Sequence, residues 1–170
     1  LVENNPMISI KSEVPEEGPA IEHLLDIAFG PDRKSRPSYK VREGVAPQSS
    51  LCFAAHHGPS LAGVIRFTPV HVGDDSRAVL LGPIAVHPDH ENLGIGSQLM
   101  KTGIAATKAV DLQLIIAIGE PGYLTRFGFE PASPHGLSFP VLVEDQRFLV
   151  LPLTDGAAQR ASGMVSARHP

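Results

Sequence analysis

The stretch Pro88–Met100, "PDHENLGIGSQLM", places two glycines, Gly94 and Gly96, where a loop turns into an apolar-periodic segment. A helix start exposes unpaired backbone N–H groups and the positive end of the helix dipole, so it attracts anions. Glycine lets a ligand come close to the main chain because no Cβ intervenes. The amides of Asn92, Leu93, Gly94, Ile95, Gly96 and Ser97 are therefore placed to converge on a pyrophosphate. Glu91, just before them, carries the wrong charge for such a task. A Walker loop needs Gly, four residues, then Gly-Lys-Ser/Thr, and no such string exists. A dinucleotide fingerprint needs a third glycine three residues after the second, and that position is Leu99. Two readings stay open: a coenzyme A site, or a glycine-rich turn that binds nothing.

Other residue types invite chemistry less strongly. His56 and His57 are adjacent, so on a strand they face opposite ways and cannot chelate together. His87 and His90 lack a Cys, Asp or Glu cluster at zinc-like spacing, so no metal is expected. Cys52 lies in an apolar stretch and reads as core rather than nucleophile. Arg126 reads either as a ligand for a phosphate or carboxylate, or as half of an ion pair.

The chain that must position these groups has 170 residues, which suits one domain with one core. With 42% hydrophobic and 19% charged residues it has the composition of a folded protein, not a disordered one. A net charge of −4 argues against nucleic acid as a partner. The basic run Arg33, Lys34, Arg36, Lys40, Arg42 reads as a solvated helix face. No apolar run approaches the ~20 residues of a membrane span. A single cysteine and the lack of a secretory leader point to the cytoplasm. Residues 1–6, "LVENNP", read as a tag or loose tail ahead of Met7.

Periodicity predicts a strand at 7–12 and then a three-turn helix with Ile21, Leu24, Leu25 and Ala28 inward, stopped at Gly30-Pro31. A polar helix over 33–44 follows, weakened by Pro37. Strands at 50–56 and 61–71 flank the turn "HGPS", and "RAVLLGPIAVHP" is a long strand. Proline cannot donate to a ladder, so this strand should bulge or be prised open near Pro83. Leu93 to about Ala109 reads as a helix burying Ile95, Leu99, Thr102 and Ala106, with Gly103 permitting close approach to a sheet. "LQLIIAIG", 112–119, is continuous enough for a covered parallel strand, completing a βαβ unit. A short helix at 121–127 and strands at 137–143 and 147–153 follow, and the tail from Thr154 gives little signal.

The segment "LGPIAVHPDHENLGIGSQLM" resembles the central motif of the GNAT acetyltransferase superfamily, and "GYLTRFGFEPAS" its closing motif. In detail both are similar to the branch of predicted acetyltransferases labelled YhbS-like, over roughly residues 8 to 153. The resemblance implies an α/β (α+β) fold. Its sheet is twisted, mixed and mostly antiparallel, flanked by helices, with two central parallel strands splayed apart. It implies acetyl-CoA as co-substrate, its pantetheine arm pairing with the backbone of Ile84, Ala85 and Val86 and its diphosphate on Asn92 to Ser97. It implies direct acetyl transfer to a primary amine, on a small molecule or a peptide. The family's tyrosine acid is replaced here by Leu124, so Tyr123, one residue earlier, is the candidate acid. Glu120 is the candidate base, against a reading as a solvated helix-start residue. Leu124 and Glu91, where the family has Gln or Arg, keep a second function open: a coenzyme A-binding protein with weak catalysis. The acceptor is not legible, and a homodimer stays open.

Overall fold

The computed structural model describes residues 7–169. The expected tail at 1–6 lies outside the described residues. The chain forms β1 (Ile8–Ser12), α1 (Gly18–Phe29), α2 (Pro37–Arg42), β2 (Phe53–His57), β3 (Ser60–Val72) and β4 (Asp75–Val86). It continues with α3 (Ile95–Ala109), β5 (Leu114–Ile118), α4 (Pro121–Leu124), β6 (Glu130–Pro131), β7 (Leu137–Ser138), β8 (Phe148–Pro152), α5 (Ala157–Arg160) and β9 (Gly163–Ala167). The main sheet runs β1-β2-β3-β4-β5-β8-β6, antiparallel throughout except for the central β4–β5 pair.

Both faces of this sheet are covered, which is why β5 is apolar without interruption. Ile115 and Ala117 join the core under α3, while Leu114 and Ile116 join the core on the opposite face with Val41 of α2 and Ala157 of α5. The helix α1 seats Ile21, Leu24 and Leu25, spaced i, i+3, i+4, on Val64 and Ala85. It stops at Gly30, whose φ of 87° suits glycine and whose N–H bonds to Asp26 O at 2.9 Å. Gly103 permits the close approach expected of it: a Cβ there would lie 2.5 Å from Cε2 of Phe67 on β3.

Several expectations need correction. Pro37 opens a helix instead of weakening one. It stands at the start of α2, where its missing N–H is not needed, so 33–44 splits into a short 3-10 turn at 33–35 and α2. The strand expected from residue 50 begins at Phe53, after a 3-10 turn at 49–51. Cys52 sits buried between the two, donating to Gln48 O at 3.2 Å. Burial raises its thiol to about 11, which suits a core residue. The buried stripe of α3 is Ile95, Leu99, Met100, Gly103 and Thr107, so Thr102 and Ala106 lie on its flank. Of the strand expected at 137–143 only β7 forms, pairing in parallel with β9. The tail from Thr154, which gives little signal in the sequence, supplies α5 and β9, and β9 lies antiparallel against Val70–Val72 of β3.

The feature that positions the site is at the centre of the sheet. Strands β4 and β5 pair only at Ala78↔Leu114, Val79↔Ile115 and Leu80↔Ile116. Opposite β3, the register passes from Phe67↔Leu81 to Ile65↔Ile84, so Gly82 and Pro83 together face the single residue Arg66. This bulge is the irregularity expected at Pro83. Beyond it Ile84, Ala85 and Val86 pair with β3 on one side only, while Ala117 and Ile118 of β5 turn to β8. The two strands part, and the β5-facing edge of β4 is left unpaired.

Candidate functional site

The unpaired edge of β4 runs directly to the glycine corner. After Val86 the chain makes a 3-10 turn at 88–90, and Asn92 and Gly94 both take positive φ, 64° and 79°. The first main-chain bond of α3 is Gln98 N–H to Gly94 O at 3.1 Å. Gly94 brings no capping side chain, so the fold leaves the amides of Ile95, Gly96 and Ser97 without intrahelical acceptors. Asn92, Leu93 and Gly94 are exposed beside them. Glu91 is exposed too, so its charge is spent largely on solvent. A Cβ on Gly96 would lie 3.2 Å from the Tyr123 hydroxyl and 3.7 Å from Cγ2 of Val86. The bare glycine thus lets the helix start, the end of β4 and the Tyr123 phenol meet at one point.

Tyr123 lies in α4 and Glu120 is its N-cap, just past the end of β5. Pro121 at its first position and the β5 exit at Gly119 set the turn. Tyr123 is half-buried, edge-on to Phe127 at 5.3 Å, with the Arg126 guanidinium 5.6 Å from its ring centre. Burial raises the phenol above its ordinary value, and Arg126 opposes this only in part. The hydroxyl therefore stays a proton donor at neutral pH. Glu120 is well exposed at 73%, with Arg147 Nη1 at 3.9 Å. Leu124 is only 5% exposed, packed beside Gly119 in the core cluster that holds Phe129, so the position at which the resemblance expects an acid is filled by hydrocarbon. Arg126 is exposed and rests on aromatic rings; it meets no carboxylate among the described residues.

A cavity of about 210 Å³ fills the gap between the parted strands, lined by Gly82, Pro83 and Ile84 of β4, Ala117 and Ile118 of β5, and Glu120, Tyr123 and Leu124. A second, of about 460 Å³, is walled by residues of α1, α2, β3 and the segments between them, among them Glu22, Arg33, Arg42, Arg66 and Thr68. Tyr39, Arg42 and Pro83 border both.

The walls of the larger cavity correct the reading of the basic run as solvent-facing. Lys34, Arg36 and Lys40 are exposed, but Arg33 is only 6% exposed. It donates to Asp26 at 2.8 Å, to the Tyr39 hydroxyl at 2.6 Å, and to Glu22. Burial alone would lower its pKa; the hydrogen bonds to Asp26, Glu22 and Tyr39 outweigh that and raise it. Arg66 grips both oxygens of Glu13, at 2.9 and 2.6 Å, and reaches Glu22 at 3.2 Å. This network was missed because its partners lie on α1, α2 and β3. Only the i, i+4 spacing of Glu22 and Asp26 gave a local hint.

The histidines pair off separately. His56 pairs with Glu17 at 2.6 Å, while His57, on the other face, meets His90 at 2.9 Å. Among the described residues no group of three His, Cys, Asp or Glu could hold an ion. No described helix is long and apolar enough to cross a membrane.

A mixed sheet parted at its central parallel pair, with a glycine-cornered helix start beside the gap, defines the GNAT class of fold. The family model described as "Acetyltransferase (GNAT) family" matches residues 19–129, and the chain belongs to that family. It is 29% identical over 157 residues to "Uncharacterized N-acetyltransferase YhbS" of Escherichia coli K12, covering 92% of this chain and 93% of that one. The crystal structure of that GNAT family protein from E. coli in complex with CoA superposes with a TM-score of 0.82 at 27% identity, over 95% of this chain and 89% of the other. A GNAT family acetyltransferase from Brucella melitensis, solved with acetyl-CoA, shares the fold with a TM-score of 0.73 at 23% identity, over 96% and 97% of the two chains.

Proposed function

We propose that the chain, as one domain, binds acetyl-CoA and transfers its acetyl group directly to a primary amine. The observation that carries this is the unpaired β4 edge from Ile84 to Val86 leading straight to the free amides of α3. An extended arm pairs with that edge as an added strand would, and a diphosphate takes the amides between Asn92 and Ser97. The co-crystals of related proteins with CoA and acetyl-CoA support the same use of these features.

In this reading a main-chain N–H near Ile84–Val86 polarises the thioester carbonyl. The amine attacks, the C–S bond breaks, and Tyr123 hands its phenolic proton to the departing thiolate. Glu120, exposed at the cavity rim, accepts the amine's proton through water. Calorimetric titration with acetyl-CoA, then thiol release with a panel of amines, tests it; no binding ends the proposal. A second reading, a coenzyme A-binding protein with feeble turnover, is favoured by one observation: Leu124 is buried where the resemblance expects an acid. Tight binding without thiol release on any amine selects that reading.

A further inference from the structure

The larger cavity has a charge that the rest of the chain does not share. The chain carries −4 overall, yet five of its fourteen Lys and Arg residues line this one space, against two carboxylates, Glu22 and Glu43. Arg33 and Arg66 are already answered: they share Glu22 and also pair with Asp26 and Glu13, which leaves Lys34, Lys40 and Arg42 against Glu43. Arg42 differs from those two arginines in having no carboxylate partner among the described residues. It is held by neutral groups alone: it donates to Ser38 Oγ at 2.7 Å and to Ser38 O at 3.3 Å, and its guanidinium lies 4.3 Å from the Tyr39 ring centre. A guanidinium has five N–H donors, so the fork is fixed in place and only partly used. Burial, with Arg33 and Arg66 nearby, pulls its pKa down to about 10, the mark of a cation short of counter-charge.

A second observation points into the same space. Thr68, only 1% exposed, lines the cavity from β3, and its hydroxyl is the one buried side-chain polar atom without a hydrogen-bond partner among the described residues. Arg42 also lies at the right end of the gap. Its guanidinium is 3.7 Å from where a Cβ on Gly82 would stand, at the bulge where the strands part. Val86, beside the helix start, is four residues further along, about 13 Å at the rise of a strand. Arg42 is therefore remote from the amides assigned to the diphosphate and borders both cavities.

We propose that the acceptor is an amine that also carries a carboxylate, and that Arg42 and Thr68 receive that carboxylate in the larger cavity. This rests on the acetyltransferase reading above. An ammonium ion alone would be repelled from such walls, whereas an amino acid brings its own counter-charge. The surrounding cations also favour the neutral form of its amine, which is the nucleophile, and this lightens the task left to Glu120.

The test is calorimetry on the enzyme saturated with coenzyme A, titrated with N-acetyl-L-amino acids and with their carboxamides. At least one acid should bind about 10- to 100-fold more tightly than its own amide, the scale of hydrogen bonds to a charged group. R42Q should bring such a pair to near parity while coenzyme A affinity holds. R42K, with its charge but without the fork, should fall between. Amides binding as well as acids, no acid binding at all, or a preference that survives in R42Q would each overturn the assignment. The first two need only the wild-type protein. Failure to bind coenzyme A at all would instead remove the acetyltransferase reading.

Discussion

The glycine corner and the arginine-lined cavity lie on either side of the same bulge, but they are made of different material. The corner is main chain. Its donors are the amides of Ile95, Gly96 and Ser97, and its side chains are short or point away. The cavity is side chain, assembled from α1, α2 and β3 through Arg33, Arg42 and Arg66. A main-chain seat serves any member of a fold family, because it depends on backbone shape. A side-chain seat is particular to one chain. On the proposed function, the coenzyme is therefore held by backbone and the acceptor by side chains.

Substitutions can set these regions against each other. The largest effect belongs at their seam, on Tyr123. Y123F should lower kcat by about 10²- to 10⁴-fold if the phenol is the acid, with coenzyme A affinity retained. Because burial raises that phenol above 10.0, the wild-type rate should hold past the pH at which an ordinary tyrosine ionises. A full rate in Y123F would return the hydroxyl to a packing role. Next is G96V, which puts a branched side chain where Tyr123 and Val86 already crowd. Losing two charge-assisted bonds to phosphate should weaken coenzyme A binding by about 100-fold or more, read by calorimetry.

Arg33 tests the other region. R33A strips Glu22 and Asp26 of their partner, but both carboxylates are more than half exposed, so solvent softens the loss. Urea denaturation should show about 1–3 kcal/mol of destabilisation with coenzyme A affinity unchanged; a matching fall in that affinity would show the two regions are not separable. Acid should act on the same network. Burial alone would raise the Glu22 pKa, yet its bonds from Arg33 and Arg66 hold it below the ordinary 4.5. Its contribution is therefore present above that value and is lost as pH falls through the lower, folded one. Denaturation followed downward from about pH 6 should show this acid limb in wild type and a shallower one in E22Q. The smallest effect is E91Q, which removes an exposed charge of on the order of 1 kcal/mol from the corner. It should tighten coenzyme A several-fold at low salt; unchanged or weaker binding would mean Glu91 does not face the diphosphate.

The same contrast decides what could be read in advance. Gly94, Gly96 and Pro83 act through their own backbone limits, so the corner and the parted strand were visible in a linear string. Gly103, needing room beside Phe67, was visible for the same reason. The cavity was not. Nothing local distinguishes Arg33, buried on two carboxylates, from Lys34, which faces water. In a linear string Pro37 counts against a helix over 33–44, because the two roles of proline differ only in position along the helix. The strand β9 escaped because its pairing with Val70–Val72 bridges some ninety residues of sequence, and its own composition is unremarkable. Tyr123 was named from its place in a motif, and its contact with the helix start across Gly96 appears only in three dimensions.

The unzipped flank of β4 has a further consequence for solution behaviour. Exposed flanks of sheets recruit strands from other molecules, which is how many proteins polymerise. Here the vacant donors and acceptors are in the middle of the sheet, between two strands that diverge only past Leu80. A folded neighbour is too thick to enter such a cleft, while a slender, flexible filament is not. The molecule can thus keep a sticky stretch of backbone permanently on offer without cross-linking to its own kind.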